Sequence, residues 1–441
     1  MDILTKNPFQ VWEHFKQRTD LFYEHESVYA EIVFPKERGD GFCAQVKKSP
    51  GENQAQLETS YFIGVDRFPN TNQSIYVAPK LNRSPIENTE DWVEVDYIKM
   101  LFQSLSNPEL MEDLEELFII KWDEEEIELK GQQDFLTPFL VVQFLGVVKN
   151  IVRKGLKKSY YRVEQNLKNR IKGKILVGQT IKQNHFKHKY LDNYCSYEEF
   201  GINGIENRLL KKALEFVKPY LYSHTGIIEG KGITDLFNFI NPAFSQVPSN
   251  FDFSELRKVK RNPFYKDYTQ ALDLAEKILR RFGYNISNSS KTVMKSTPPF
   301  WIDMSKLFEI YVLGLLKKEF SNSVKFQYKT HWNELDYILK NKDYQLVIDA
   351  KYKTIYSTHY DIHDIRQISG YARLKNVRKE LGITDDDAVV PNCLIVYPTF
   401  MDDCANFNNR PLLANPINTF KNIYKIGVNL PIQNNQIVKK N

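Results

Sequence analysis

The pattern of apolar and polar residues changes twice along the chain. Short runs of β-branched and aromatic residues, separated by Gly, Pro and Asn, predict strands at residues 27–34, 59–65 and 74–78. From residue 97 to 221, apolar residues recur at spacings of three and four, which predicts helices. The polar stretch 285–299 ends in two prolines and predicts a linker.

The same pattern predicts an α/β order in the last part of the chain. A 3,4-spaced apolar stripe predicts a helix over residues 303–320, and a polar turn at 340–343 between two apolar runs predicts a hairpin. A helix beginning near Asp361 and an apolar strand at 393–397 follow. We therefore expect a multidomain α+β protein with three regions. They are a β-rich module (1–96), a mainly helical region (97–290), for which a family resemblance given below implies partner docking, and an α/β domain with a central mixed sheet (291–441).

Composition narrows the class of protein without identifying it. Of the 441 residues, 42% are hydrophobic and 26% are charged, which excludes disordered and fibrous proteins. No apolar run is long enough for a membrane span and no leader sequence begins the chain, so we expect a cytoplasmic protein without a membrane partner. The four cysteines are scattered, which favours neither a disulfide framework nor a zinc site.

One tract of the chain is strongly basic. Residues 151–190 contain twelve Lys or Arg and a single acid, Glu164. Tyr160, Tyr161 and Phe186 lie among these cations, as in surfaces that bind phosphates and stack on bases. A solvated helix face or a surface for an acidic partner explains the charge equally well, so the sequence leaves these alternatives open.

Two acids and a lysine are predicted to converge on the hairpin. If its loop has two or four residues centred between residues 341 and 342, Asp336 lies diagonally across from Asp349 on one face. Lys351, two residues after Asp349, shares that face. Two carboxylates and a backbone carbonyl, that of Ala350, can hold Mg²⁺ beside a phosphate. A structural ion pair between Asp349 and Lys351 is the simpler alternative.

The order of these residues resembles the signature of the PD-(D/E)xK nucleases. In that family an Asp on one strand precedes a D/E-x-K on the next, as Asp336 precedes Asp349 and Lys351 here. The family's proline before the first acid is Leu335 in this chain. The resemblance implies that Asp336, Asp349 and the Ala350 carbonyl bind Mg²⁺ and that Lys351 aligns the attacking water.

Two further elements sharpen this resemblance. Gln367 and Tyr371 lie four residues apart on a predicted helix, similar to a Gln-x-x-x-Tyr element of some nucleases in the superfamily. Glu309 lies on the predicted helix that precedes the hairpin, at the border of its apolar stripe. The resemblance implies that Gln367 and Glu309 assist catalysis, whereas surface positions are the alternative for both.

The wider chain resembles the McrC nuclease subunits of McrBC-type modification-dependent restriction systems. The similar segments are IYVAPKL (75–81), LKNRIKGKI (167–175), CSYEEF (195–200), ENRLLKKAL (206–214), RNPFY (261–265), LFEIYV (307–312), IDAKYK (348–353) and RQISGYA (366–372). The resemblance implies an antiviral DNA endonuclease subunit that docks on a McrB-like AAA+ GTPase ring, stimulates it, and cuts methylated or otherwise modified DNA.

The sequence itself adds one observation about a partner. No GxxxxGKS or GxxxxGKT motif occurs, so the chain lacks a recognisable phosphate-binding loop of its own. Two other functions stay open at this point. One is a self-sufficient PD-(D/E)xK restriction or repair nuclease without a motor, and the other is a non-catalytic stimulator of a motor.

Overall fold

The computed structural model describes residues 8–19, 31–35, 42–47, 55–68, 73–79, 95–104, 117–121, 124–129, 136–223, 231–259, 261–262, 264–287, 295–330, 333–383, 389–399, 407 and 410–431. The chain forms two compact units. Unit 1 consists of Met1–Phe139 together with Thr292–Asn441, and unit 2 is Leu140–Lys291.

The elements are numbered in chain order. The strands are β1 (Phe9–Trp12), β2 (Lys16–Thr19), β3 (Glu31–Pro35), β4 (Phe42–Lys47), β5 (Ala55–Thr59), β6 (Phe62–Arg67), β7 (Ser74–Ala78), β8 (Phe118–Ile120), β9 (Ile127–Leu129), β10 (Ser159–Lys168), β11 (Lys174–Ile175), β12 (Asp192–Gly201), β13 (Lys295–Thr297), β14 (Phe300–Asp303), β15 (Val324–Thr330), β16 (Asn333–Lys340), β17 (Gln345–Ala350), β18 (Asn392–Thr399) and β19 (Ile423–Asn429). The helices are α1 (Tyr97–Ser104), α2 (Leu136–Lys154), α3 (Val177–Gln183), α4 (Ile205–Ser223), α5 (Lys231–Ala243), α6 (Lys266–Ser287), α7 (Met304–Phe320), α8 (Ile362–Ala372) and α9 (Lys375–Leu381).

The N-terminal part of unit 1 is built on strands, as the sequence predicts. One sheet has the order β1-β7-β6-β14-β8, a second has β2-β5-β4-β3, and β9 pairs with β13. The predicted strand at 74–78 is β7, whereas the run at 59–65 is divided between β5 and β6. Residues 27–30 of the first predicted strand lie outside the described residues.

A strand from late in the chain completes the first sheet. β14 pairs antiparallel with both β6 and β8, so it lies inside the sheet. Trp301 of β14 lies opposite Gly64, where a side chain would collide with the carbonyl oxygen of Phe300. The Trp301 indole is buried and donates a hydrogen bond of 2.7 Å to Asp66 Oδ2, and Lys121 forms an ion pair with the same carboxylate at 2.9 Å.

The C-terminal part of unit 1 is a five-stranded mixed sheet with the order β15-β16-β17-β18-β19. β15, β16 and β17 are antiparallel neighbours, while β17, β18 and β19 run parallel. Helices α8 and α9 cover an apolar core on this sheet that includes Leu335, Val347, Ile368 and Ile395. The predicted central mixed sheet is therefore present.

Unit 2 is less helical than the sequence predicts. Helices α4 and α6 pack together as expected, but β10 and β12 form a ten-residue antiparallel pair that β11 extends. The expectation of helix through residues 97–221 is therefore wrong for the strands β10, β11 and β12, whereas α3 between them is helical. β10, SYYRVEQNLK, begins with inward and outward positions in alternation, which is the period of a strand and not of a helix.

The boundaries of the two units also differ from the predicted domain boundaries. β13 and β14 follow the predicted boundary at residue 290, yet both pair with strands from the first 139 residues. The predicted linker 285–299 overlaps the end of α6 and all of β13 and ends directly before β14, and residues 288–294 lie outside the described part. Sequence periodicity fails here because a short strand carries no sign of which distant strand it will join.

Helix α2 is the one helix in the described part of the chain that is long and apolar enough to cross a membrane. Its most apolar window is 65% buried within the protein. An apolar helix that packs into a protein core gives the same composition as a membrane span. Its burial therefore accounts for its composition without a membrane.

The contact between Trp301 and Asp66 generates a prediction about stability. Replacing Trp301 by Phe removes the indole donor and part of the buried ring, so we expect the free energy of unfolding to fall by about 2–4 kcal/mol. Chemical denaturation of the full chain measures this change. Asp66→Asn is the companion variant, since it retains an acceptor for the indole while removing the charge that Lys121 neutralises. A loss below about 0.5 kcal/mol in Trp301→Phe would contradict the proposed importance of the contact.

Candidate active site

The hairpin β16–β17 has a tight turn that sets its register. Tyr337 lies opposite Ile348 and Lys340 opposite Gln345. The four-residue turn is closed by the Asn341 N–H, which donates to the carbonyl oxygen of Tyr344 at 2.9 Å. The Asn341 side-chain oxygen also accepts hydrogen bonds from two backbone N–H groups of the turn, at 2.7 and 2.9 Å. Such an Asn turn fixes which residues face each other.

This register places the two acids side by side. Continued by one position, it sets Asp336 opposite Asp349, because the turn is centred between residues 342 and 343. The predicted diagonal arrangement is therefore wrong by one residue in the turn centre, while the predicted shared face is correct. Asp336 Oδ2 accepts a hydrogen bond of 2.8 Å from the backbone N–H of Ala350, which ties the two strands together beside the acids.

Lys351 links the acids to the following helix. Its ammonium lies 2.9 Å from Asp349 Oδ2 and donates to Gln367 Oε1, also at 2.9 Å. Gln367 Nε2 in turn donates to the hydroxyl oxygen of Tyr371 at 2.9 Å, one helical turn further along α8. The structure thus brings together the predicted residues of β16, β17 and α8 in one chain of contacts.

The acids lie in an apolar setting. Asp349 is 2% exposed, and its neighbours on β17 are buried apolar residues. Burial raises the pKa of Asp336 well above its usual range, and the charges of Asp349 and Glu309 raise it further. Burial also raises the pKa of Asp349, although Lys351 opposes the shift. Each carboxylate is therefore costly to ionise unless a cation lies beside it.

The lysine keeps its charge. Burial by itself would lower the pKa of Lys351, but the negative charges of Asp349 and Asp336 outweigh burial and raise it. Lys351 is therefore an ammonium at neutral pH, with protons to donate and no lone pair to accept one. Such a group can orient a water molecule or stabilise a negative oxygen.

Glu309 approaches the site from helix α7. Its backbone carbonyl accepts a hydrogen bond of 2.6 Å from the hydroxyl of Tyr337, which fixes α7 against the strand of Asp336. Burial raises the pKa of Glu309 to about 7, and although Lys306 opposes the shift, Asp303 and Asp349 add to it. No hydrogen bond or ion pair joins the Glu309 side chain to Asp336, Asp349 or Lys351 among the described residues.

A neighbouring network was not predicted from the sequence. Lys353 forms ion pairs with Asp361 at 2.8 Å and Asp364 at 2.9 Å, and the Tyr356 hydroxyl donates to Asp364 at 2.8 Å. The sequence predicts Asp361 and Asp364 near the start of α8, and Asp361 is indeed its N-cap, accepting from the His363 N–H. The missed signal was the second lysine of DAKYK, which anchors the helix that carries Gln367.

The two acids supply oxygen atoms of the kind that bind magnesium. Among the described residues, no three His, Cys, Asp or Glu side chains come close enough to hold a metal ion by themselves. Asp349 Oδ2 is buried and accepts no well-directed hydrogen bond, although the Lys351 ammonium is near. An orphaned carboxylate oxygen opposite a second acid fits the oxygen ligands that Mg²⁺ prefers. The Ala350 carbonyl and water would complete such a site.

The basic tract lies in unit 2 and runs from the end of α2 through β10, β11 and α3 to the segment before β12. Four of its twelve cations, Lys154, Lys157, Arg162 and Lys172, form ion pairs with acids of the same unit. The other eight make no ion pair in the part of the chain that the structure describes. They are Arg153, Lys158, Lys168, Arg170, Lys174, Lys182, Lys187 and Lys189. The tract is therefore a surface with a sizeable unpaired positive charge.

Comparison with known proteins gives the family. Residues 57–381 match the sequence profile described as "McrBC 5-methylcytosine restriction system component". No curated protein sequence matches the chain. A solved half-complex of Thermococcus gammatolerans McrB AAA+ hexamers with bound McrC matches at 14% identity, over 96% of this chain and 94% of that one, with a TM-score of 0.37.

The cryo-EM structure of the Thermococcus gammatolerans McrBC complex also matches at 14% identity, over 70% of this chain and 87% of that one, with a TM-score of 0.28. Likenesses this low do not establish a common fold, so the assignment rests on the sequence profile, which spans well over half of the chain. The chain belongs to the family of McrBC 5-methylcytosine restriction system components.

Proposed function

We propose that this chain is the DNA endonuclease subunit of a McrBC-type restriction system and hydrolyses phosphodiester bonds with Mg²⁺. The observation that carries the proposal is the placement of Asp336 opposite Asp349, with the ammonium of Lys351 beside them. Two acids share one lysine in a largely apolar setting. An ion pair built only for stability would need a single acid.

Each residue has a distinct role in this proposal. Asp336 and Asp349, with the Ala350 carbonyl, hold Mg²⁺, which when bound neutralises phosphate charge and acidifies an attacking water. Lys351 donates hydrogen bonds to that water or to a phosphate oxygen, since its raised pKa keeps it charged. Gln367 Oε1 accepts a hydrogen bond from the Lys351 ammonium and so directs it. Glu309, whose pKa is about 7, can exchange a proton near neutral pH.

The partner in this proposal is a McrB-like AAA+ GTPase ring, which the chain would stimulate. Family membership supports a multicomponent system, and the sequence lacks a phosphate-binding loop of its own. The DNA would carry methylated or other modified bases, and the complex would act in the cytoplasm. Recognition of the modification would then fall to another component.

Plasmid cleavage tests the function directly. The chain is assayed alone and with the AAA+ protein encoded next to it, with Mg²⁺ or EDTA and with GTP or ATP. Cleavage that needs both Mg²⁺ and the partner supports the proposal. Full cleavage by the chain alone would favour a self-sufficient nuclease, and partner stimulation without any cleavage would favour a non-catalytic stimulator.

Substitution of the acids gives the sharpest test of the site. Asp349→Ala should lower cleavage by more than about 100-fold, because a ligand for the metal and the partner of Lys351 are both lost. Gln367→Ala should lower it by about 10- to 100-fold through misplacement of Lys351. Asp343→Asn, an exposed acid in the turn of the same hairpin, is the matched control and should cleave normally. Wild-type cleavage by Asp349→Ala would exclude this site.

The raised pKa values predict how stability depends on pH. Between about pH 4 and the raised pKa of Asp336, the folded chain keeps a proton that the unfolded chain has lost, so unfolding becomes easier as pH rises. Asp336→Asn removes this effect while keeping the Asp349–Lys351 pair. We therefore expect a higher melting temperature than wild type at neutral pH in EDTA, and no difference below about pH 4.

Magnesium provides the control for this experiment. Mg²⁺ should raise the melting temperature of the wild type more than that of Asp336→Asn, because only the wild type offers both carboxylates. A variant that melts below the wild type at neutral pH in EDTA would show that the two acids do not repel each other in the folded chain.

The unpaired cations of unit 2 predict how DNA binding responds to salt. Neutralising Lys168, Arg170 and Lys174, all exposed and unpaired, should make the log-log salt dependence shallower by up to about 2.7 if they contact DNA phosphates. Lys154, which forms an ion pair with Asp267, is the control whose neutralisation should leave the slope unchanged. An unchanged slope with weaker association to the AAA+ protein would assign the surface to the protein partner instead.

A further inference from the structure

A cavity of about 960 Å³ lies within unit 2, apart from the carboxylate site of unit 1. It is lined by the start of β10, the start of α4 and the loop that leads to α6. Segments ENRLLKKAL and RNPFY, which the carboxylate site does not use, meet there through Arg208, Arg261 and Asn262. Its volume is in the range of ligand-binding sites, about 300–1,000 Å³.

The polypeptide around the cavity is held firmly. Asn207, beside Arg208 on α4, is buried and donates to the carbonyl oxygens of Lys157 and Ile202, at 2.9 and 2.8 Å. The Tyr268 hydroxyl donates to Asn207 Oδ1 at 2.8 Å and accepts a hydrogen bond from the Lys157 N–H at 2.6 Å. Buried hydrogen bonds therefore tie together the segments of Lys157, Ile202, Asn207 and Tyr268 behind the cavity.

The cavity lining carries more positive than negative charge. Four lining residues are Lys or Arg and two are Glu. Lys157 is neutralised by Glu206 at 2.9 Å, and Arg261 is bound by two acids of α6. Arg208 has only long contacts, 3.9 Å to a Glu255 oxygen and 3.4 Å to the carbonyl of Asn250. Arg208 is therefore the cation with the most unused capacity to bind an anion.

Two buried polar atoms of lining residues have no hydrogen-bond partner. Arg208 Nε is an unpaired donor and Asn203 Oδ1 is an unpaired acceptor. Such atoms in a folded protein call for a partner, since leaving each one unpaired costs about 1–3 kcal/mol. Neither atom has accessible surface in the cavity, so the group offered to a ligand is the rest of the partly exposed guanidinium of Arg208. A guanidinium with free donors binds anions, and phosphate in particular.

An exposed aromatic ring at the cavity offers a ligand a further contact. Tyr160 is 72% exposed, and its ring lies 5.1 Å from that of Phe200, which is also exposed. Exposed aromatic rings beside cations are typical partners for the bases of nucleotides. Gly204 leaves room at the same wall, because a methyl group there would lie 2.7 Å from Ser159 Oγ and 3.2 Å from Glu206 Oε2.

We propose that this cavity binds a nucleoside phosphate. Arg208 binds phosphate oxygens and Tyr160 stacks on the base. The nucleotide is either free or part of a DNA strand. Binding involves no hydrolysis, and it does not depend on the nuclease activity proposed for the carboxylate site.

Isothermal titration calorimetry of the full chain in EDTA tests the proposal. The probes are GTP, ATP, dGMP, inorganic phosphate and a short 5′-phosphorylated single-stranded oligonucleotide. Arg208→Gln should weaken binding of every phosphate probe by about 10- to 100-fold. Tyr160→Ala should weaken nucleotides by about 5- to 100-fold and leave inorganic phosphate unchanged. Arg257→Gln, an exposed arginine outside the cavity, is the matched control and should bind as wild type.

The results of this experiment distinguish a free nucleotide from a DNA strand as the ligand, and they also show whether the proposal fails. Binding of free nucleotides that Arg208→Gln and Tyr160→Ala weaken assigns the cavity to a free nucleotide. Binding of the oligonucleotide alone assigns it to a strand only if the same two variants weaken that binding, because the basic tract can also bind DNA. Tyr160→Ala changes an exposed side chain, so loss of binding in that variant cannot be attributed to unfolding. If no probe binds, or if Arg208→Gln and Tyr160→Ala both bind as wild type, the proposal is overturned. Loss of AAA+ association in Arg208→Gln without any nucleotide binding would overturn it in favour of protein docking.

Discussion

The repulsion between two carboxylates on neighbouring strands is the constraint around which the C-terminal sheet is arranged. Asp336 and Asp349 face each other in apolar surroundings, and bringing like charges together there is unfavourable unless cations compensate. The fold supplies one such cation in Lys351 and fixes it through Gln367 on α8. In the proposed nuclease site, a divalent cation would offset the repulsion that one lysine leaves uncompensated, so the same feature that weakens the fold would favour metal binding.

The geometry of the site could be predicted from the sequence because strands have a period of two. Any loop with an even number of residues between the strands leaves Asp336, Asp349 and Lys351 on one face, even with the turn centre misplaced by one residue. The contact between Lys351 and Gln367 was harder to predict from the sequence, because it depends on how α8 crosses the sheet. Its anchor is the pairing of Lys353 with Asp361 and Asp364, and such tertiary contacts leave little trace in a local pattern.

The errors in the predicted fold have two physical sources. In unit 2, β10 and β12 are amphipathic strands with many polar residues, and the helical pattern on either side, in α2 and α4, was extended through them. In unit 1, β14 is only four residues long, and its place between β6 and β8 depends on pairing with residues more than 180 positions earlier. Propensity describes neighbours in sequence, whereas these strands are defined by neighbours in space.

The discontinuity of unit 1 has a consequence for folding during synthesis. Unit 2 is continuous in sequence and can fold as soon as it leaves the ribosome, whereas β6 and β8 must wait for β14, which emerges after unit 2. Closing so long a loop adds little entropy cost, since that cost grows only with the logarithm of loop length. Until β14 has been synthesised, the N-terminal sheet has unpaired strand edges, and other chains can pair with them. A nascent chain is therefore most vulnerable to aggregation while unit 2 is being made.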